Sequence, residues 1–250
     1  MGNGNVFKRV EMKYLLEKEE RDALMEYMRD KMCPDPHGDA TIRNIYYDTD
    51  SFLLVRRSIE KPVYKEKLRV RSYRTSSMED PVFVELKKKC KKVVYKRRIH
   101  IPQEQAIRFL AGEDLTQDEL SDSRGKSKPA DAQIAREIKY FRNMYKTLKP
   151  VVYLSYDRQA YYGKDDDSFR MTFDTNICYR KERLNLSEEP GGISLINPGQ
   201  ALLEVKISGG MPMWLSAYLS DKKLFKASFS KYGAAYKDML KKGEIKIGNI

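Results

Sequence analysis

The chain has 250 residues, 41% hydrophobic and 34% charged, enough for a full core and too apolar for a disordered polymer. No apolar run approaches the roughly 20 residues that cross a bilayer, and MGNGNVFKRVEMK lacks the apolar stretch of a secretory signal, so a cytoplasmic protein without a transmembrane segment is expected. Its 48 basic and 36 acidic side chains leave a net charge of +12, which points to a polyanionic partner, while two histidines and three scattered cysteines leave little for zinc, disulfide or conventional hydrolase chemistry.

Residues 7–16 alternate weakly and read as a first strand. Residues 17–31 follow as a helix, with Ala23, Leu24, Tyr27, Met28 and Met32 at helical spacing. A Pro/Gly breaker occupies 32–39. Strand-like segments then accumulate at 42–48, 63–74, 81–88 and 92–101, with a turn-rich piece at 75–80. The stretch 103–149 reads as helical and polar, with a loop at 121–129. Strands resume at 150–161, 168–178 and 201–208, with a turn-rich connection at 188–198, and helical pieces close the chain near 212–220 and 229–241. About eight strands with inserted helices, no βαβ rhythm, no repeat and no composition break predict one α+β domain over 1–250, built on an antiparallel barrel.

Residues two apart on a strand share a face. Lys67, Arg69 and Arg71 therefore lie opposite Leu68 and Val70, and Glu85 and Lys87 opposite Val82, Val84 and Leu86. Lys96 and Arg98 share a face, as do Tyr156 and Arg158, then Arg170, Thr172 and Asp174. Glu204 and Lys206 oppose Leu203 and Val205, and Glu11 and Lys13 repeat the device at the start.

An ordinary solvated sheet face accounts for each strand taken singly, with the carboxylates in cross-strand ion pairs and Tyr156 as strand packing. Two features favour converging charges instead. The strands carry repeated E-x-K and R-x-R pairs rather than Thr, Ser and Gln, and flanking helices can cover the apolar faces from outside. Inward cations need a polyanion to offset their repulsion and desolvation, and a triphosphate or polyphosphate serves. The few carboxylates would then hold Mn²⁺ or Mg²⁺. The 88–92 run (KKCKK) reads as a solvated turn, or else as a patch that guides anions to a tunnel mouth. Met25, Met28, Met32 and Trp214 read as packing.

Taken together, Glu11 and Lys13, KLRVRSY, FVELKKK, the later YDR and RMTFD segments, LLEVK and the closing FSKYGAAY resemble the triphosphate tunnel metalloenzymes over about residues 7–240. Within them the chain is most similar to the catalytic domain of VTC polyphosphate polymerases. The resemblance implies an eight-stranded antiparallel β-barrel tunnel with flanking helices. It implies transfer of the terminal phosphate of ATP onto a growing polyphosphate chain with Mn²⁺ or Mg²⁺. Carried over by position, Lys13, Arg69, Arg71, Lys87, Arg158 and Arg170 bind phosphates, joined by Lys96 or Arg98 and by Lys206. Tyr156 lies beside the phosphate chain and Lys231 near a tunnel mouth. Glu204 is the implied metal ligand and Glu85 a second candidate.

Two departures qualify the match. The chain is expected to lack the phosphate-sensing domain and membrane helices of the eukaryotic members, so the resemblance does not extend to coupling synthesis to transport, and a separate membrane partner stays open. Arg9 stands where the hydrolytic relatives place the first Glu of a longer E-x-E-x-K, which favours the polymerase over a tripolyphosphatase or nucleoside triphosphatase of the same fold. A non-catalytic polyanion-binding module is the third reading. Nucleic acid is not the expected partner, because aromatic and basic residues interleave only in KLRVRSYR.

Overall fold

Alternating apolar and polar side chains put most of the sequence into strands. The structure, a computed structural model, describes residues 10–60, 62–91, 93–120 and 129–245. Among these the order is β1 (Val10–Leu16), α1 (Lys18–Tyr27), β2 (Met32–Pro34), β3 (Ala40–Asp48), α2 (Leu53–Ile59), β4 (Tyr64–Ser72), β5 (Pro81–Cys90), β6 (Val93–Pro102), α3 (Gln103–Ala111), α4 (Pro129–Met144), β7 (Lys149–Gly163), β8 (Arg170–Arg180), β9 (Ile193–Ser194), β10 (Ala201–Ile207), α5 (Met213–Asp221) and α6 (Lys231–Lys241). The main path through the sheet is β1-β10-β8-β7-β3-β4-β5-β6, with β2 on β7 and β9 on β8. The α+β class and the eight principal strands are as expected. Closure into a barrel is not found: among the described residues the path ends at β1 and β6. Strand count alone does not decide whether a sheet's edges meet.

The chain divides into two compact units. The first comprises Met1–Thr41, Tyr156–Ile177 and Ile196–Ser230. Its core gathers Met12, Tyr14 and Leu16 of β1, Met171 and Phe173 of β8, and Leu203, Val205 and Ile207 of β10 under Leu24 and Met28 of α1 and Leu215, Tyr218 and Leu219 of α5. Each such side chain contributes roughly 1.5–3 kcal/mol by leaving water. Because the helices cover that face, the alternate residues Lys13, Thr172 and Glu204 occupy the other. The helix expected over 17–31 stops at Tyr27, and Met32 instead begins β2, paired with Gly163. Met28 and Met32 are buried and Trp214 packs against the same cluster, as their spacing suggested.

The second unit comprises Ile42–Ser155, Cys178–Leu195 and Lys231–Ile250. Ile45, Tyr47, Leu68, Val70, Val82, Val84, Leu86, Ile99 and Ile101 form one apolar sheet face, covered by Leu54 of α2, Ala106 and Phe109 of α3, and Ala135, Ile138 and Phe141 of α4. Helix α2 was not legible in the sequence, because LLVRRSI is short and offers no capping residue of its own. Two of its free amides are met from β3: the buried carboxylate of Asp48 accepts hydrogen bonds from the N–H groups of Leu54 and Val55 at 2.8 and 3.0 Å, and also from that of Thr49 ahead of the helix at 2.8 Å. Tyr232 of α6 donates its hydroxyl to the same carboxylate at 2.8 Å.

The expected turn over 88–92 is narrower than the sequence suggested. Lys88, Lys89 and Cys90 belong to β5, and Cys90 pairs with Val93. Lys91 at the bend adopts φ 45°, a left-handed conformation unusual for lysine. Residues 121–128 of the expected loop lie outside the described residues, as does Arg9, while Pro129 opens α4.

Candidate functional site

In the second unit the strand register lines charge up in rows. Across β4, β5 and β6 run Lys67, Lys87, Lys96; then Arg69, Glu85, Arg98; then Arg71, Phe83, His100. On the far side of β4, Tyr46 and Asn44 of β3 stand beside Arg69 and Arg71. All share the face opposite the apolar core.

Glu85, 2% exposed, is the centre of this face. It accepts hydrogen bonds from Nε and Nη2 of Arg69 at 2.8 and 2.6 Å. Lys96 Nζ lies 2.7 Å from its other oxygen, and Arg71 Nε approaches to 4.0 Å. Burial pushes the Glu85 carboxyl up, but Arg69, Arg71 and Lys96 outweigh it and hold the group at about 2. Arg71 is fixed in turn: its Nε donates to Asn44 Oδ1 at 2.8 Å, and the Asn44 amide donates to the Leu154 carbonyl at 3.1 Å. Arg98 lies over the Phe83 ring at 4.8 Å, and Phe83 stacks on His100 at 4.4 Å. Lys96 and Arg98, which the sequence left as alternatives, are therefore both on this face. Lys87 is exposed there. The three rows carry six cations, Lys67, Lys87, Lys96, Arg69, Arg98 and Arg71, against the single carboxylate of Glu85.

Lys231, 8% exposed, opens α6. Its neighbour Tyr232 stacks on Tyr46 with ring centroids 4.5 Å apart, and Arg69 Nη1 donates to the Tyr46 hydroxyl at 3.3 Å. Burial raises the Tyr46 hydroxyl, yet Arg69, Lys67 and Arg71 bring it down to about 8. The sequence analysis did not single out Tyr46 or Asn44. The signal was available, since Asn44, Tyr46 and Asp48 alternate with Ile45 and Tyr47 in NIYYD.

The first unit holds a second cluster. Lys13 Nζ lies 3.0 Å from Glu204 and 3.4 Å from Glu11. Arg158 grips Asp174 with both ends of its fork, at 2.6 and 2.6 Å, and reaches Glu204 at 3.3 Å. Its guanidinium lies over the ring of buried Tyr156 at 5.2 Å. Lys206 lies 3.9 Å from Glu204; burial pulls its amine below the usual lysine range against the attraction of Glu204, and Arg158 adds to the depression. Here Lys13, Arg158 and Lys206 are matched by Glu11, Asp174 and Glu204, so the cluster is close to neutral. Arg170 is not gathered into it. Its side chain turns to Asp35 at 2.8 Å and to the Asp167 carbonyl at 3.1 Å.

The carboxylates differ as metal donors. Glu85 is enclosed by cations, a setting that repels another cation. Glu204 has Glu11 near the same lysine, and Thr172 opposite it in register, whose Oγ1 is buried with no hydrogen-bond partner. That donor set suits a hard cation that takes one or two carboxylates and draws its remaining oxygens from water and phosphate. Among the described residues no three His, Cys, Asp or Glu side chains gather as a cage able to hold a metal unaided.

Comparison with known proteins agrees with this fold. A solved candidate adenylyl cyclase from Hippeastrum, for which a dominant triphosphatase activity is stated, superposes with a TM-score of 0.52 at 14% identity, over 95% of this chain and 97% of that one. A candidate adenylate cyclase from Bacillus halodurans gives a TM-score of 0.49 at 16% identity, over 89% and 93% of the two chains. No curated protein sequence matches the chain. At that identity the first likeness shows a shared fold and nothing more. The family is established by sequence: the model of the VTC domain matches residues 8–240, and this chain belongs to the VTC domain family.

Proposed function

We propose that the protein is a polyphosphate polymerase that transfers the terminal phosphate of ATP onto a growing polyphosphate chain. The observation that carries the reading is the set of six cations and one carboxylate in three successive rows of the β4–β5–β6 face. Like charges held that closely need a polyanion to offset them, and the forked guanidinium groups of Arg69 and Arg71 match phosphate oxygens. Membership of the VTC domain family supports the same substrate class. Lys13, Arg69, Arg71, Lys87, Arg158 and Arg170 bind phosphates in this reading, with Lys96, Arg98, Tyr156, Lys206 and Lys231 completing the contacts.

Glu204, with Glu11 and Thr172, would hold Mn²⁺ or Mg²⁺, which would supply positive charge to offset that of the phosphates. The protein's own groups position the phosphates and stabilise charge on them, so no side-chain nucleophile is needed. No helix among the described residues is long and apolar enough to cross a membrane.

Purified protein incubated with ATP and Mn²⁺ should yield a ladder of phosphate oligomers on a gel. Release of inorganic phosphate from ATP or tripolyphosphate without chain growth would instead establish a triphosphatase, the activity stated for the Hippeastrum protein. Binding without turnover would leave a polyanion-binding module.

A further inference from the structure

The β5–β6 hairpin ends in an apolar corner. In register, the last three rows across β4, β5 and β6 are Glu66, Lys88, Tyr95; then Lys65, Lys89, Val94; then Tyr64, Cys90, Val93. Val63 joins them, since its carbonyl accepts a hydrogen bond from the Lys91 N–H at 3.0 Å. Val63, Tyr64, Val93, Val94 and Tyr95 are each between 38% and 67% exposed. Single exposed apolar side chains are ordinary on any surface, but five at one corner make a patch.

Basic residues are set among them. From Leu86 to Gln103 the chain has eight Lys and Arg residues and no Asp or Glu. Lys88 is paired with Glu66 at 3.8 Å, Lys89 stands opposite Val94, and Lys91 forms the bend beside Val63. Lys91 holds φ 45°, where Gly or Asn is the usual residue. Charge is thus kept at the tip against the preference of the backbone.

The corner is apolar on both sides. Val94 shares the face of Lys87 and Lys96, whereas Tyr64, Val93 and Tyr95 share the face that continues into the core at Leu68, Leu86 and Ile99. A protein lying on one face of the sheet covers half of these side chains. A phosphate chain accounts for the lysines and leaves valine and tyrosine in water. An anionic lipid surface meets all of them: apolar side chains enter between acyl chains on both sides, tyrosine rings sit at the level of the headgroups, and lysines meet the headgroup charge. From the Glu66 row to the bend is about 10 Å at ~3.3 Å per residue, within the roughly 5–10 Å to which interfacial segments bury.

We infer that the tip of the β5–β6 hairpin, with the adjoining Val63 and Tyr64, docks the protein on anionic lipid surfaces. This docking site is separate from the phosphate-binding residues and does not depend on the reaction that they carry out.

Flotation of the full chain with vesicles tests it, comparing phosphatidylcholine alone with equimolar phosphatidylcholine and phosphatidylserine. The protein should float with the anionic vesicles only. Charge alone draws a +12 protein to such vesicles, so the apolar side chains decide. Val94→Gln with Tyr95→Gln should weaken vesicle binding about tenfold, and Lys89→Gln with Lys91→Gln about as much. Phe225→Gln, which removes an exposed apolar side chain of the first unit, should change it less than twofold. An unchanged melting transition shows that the variants are folded, and Val94→Gln alone, expected to weaken binding about threefold, keeps the test decisive should the pair perturb the hairpin. Absence of binding to anionic vesicles, the result expected if the corner serves an acidic protein or a nucleic acid instead, overturns the inference. So does binding that survives loss of Val94 and Tyr95, or that falls equally in Phe225→Gln.

Discussion

Glu85 keeps its charge only because three cations surround it, and this sets its pH dependence. Its folded value of about 2 lies below the ordinary 4.5, so its contribution is fully present above about pH 4.5 and is lost as pH falls towards 2. The gap corresponds to about 3 kcal/mol. Glu85→Gln should therefore lower unfolding free energy by about that order at neutral pH, with the deficit shrinking between pH 4.5 and 2 in denaturant titrations. An equal deficit at both ends would refute the electrostatic account. Tyr46 gives a second test. With its hydroxyl at about 8, it becomes an anion beside Arg69 above that pH. Tripolyphosphate affinity should then fall as pH rises through about 8, and Tyr46→Phe should abolish that step. A step that survives in Tyr46→Phe belongs to another group.

Among the elements, α2 depends most on distant partners. Asp48 serves three of its neighbouring amides and the Tyr232 hydroxyl at once. Asp48→Ala leaves those buried donors unsatisfied, and a loss of about 2–4 kcal/mol is expected from chemical denaturation. Tyr232→Phe removes one donor and should cost about 1 kcal/mol. The connection between β8 and β9 depends on a glycine for a different reason. Gly192 adopts φ 129°, and a Cβ there would meet the Tyr179 carbonyl oxygen at 2.2 Å. Gly192→Ala should lower the melting temperature, because backbone rather than a flexible side chain must yield. By contrast, β4, β5 and β10 were legible from their alternation alone. The apolar residues of Lys67-Leu68-Arg69-Val70-Arg71 and of Leu203-Glu204-Val205 are buried on the expected sides. Helix α2 and strand β2 were not legible, since seven and three residues hold too little periodic signal.

At the scale of the molecule, a net charge of +12 opposes compaction and favours polyanions. Tripolyphosphate at about 100 times its dissociation constant should stabilise the fold by about 2.7 kcal/mol, and the gain should shrink as salt screens the charges. A melting temperature insensitive to tripolyphosphate at low salt would argue against the phosphate-binding face. The sequence by itself determined the α+β class, the strands that separate charge from core, the VTC resemblance and most of the cations on the two faces. Those features are encoded by neighbours one or two residues apart, where pleat and periodicity act. Only the tertiary structure decided that Arg69, Arg71 and Lys96 share one carboxylate while Arg170 is drawn away to Asp35. It alone brought Tyr46 under Tyr232 and set lysine against lysine across β4 and β5. Such partnerships depend on register between strands and on residues 186 positions apart in the chain, as Tyr46 and Tyr232 are, and no local pattern in a single segment carries that information.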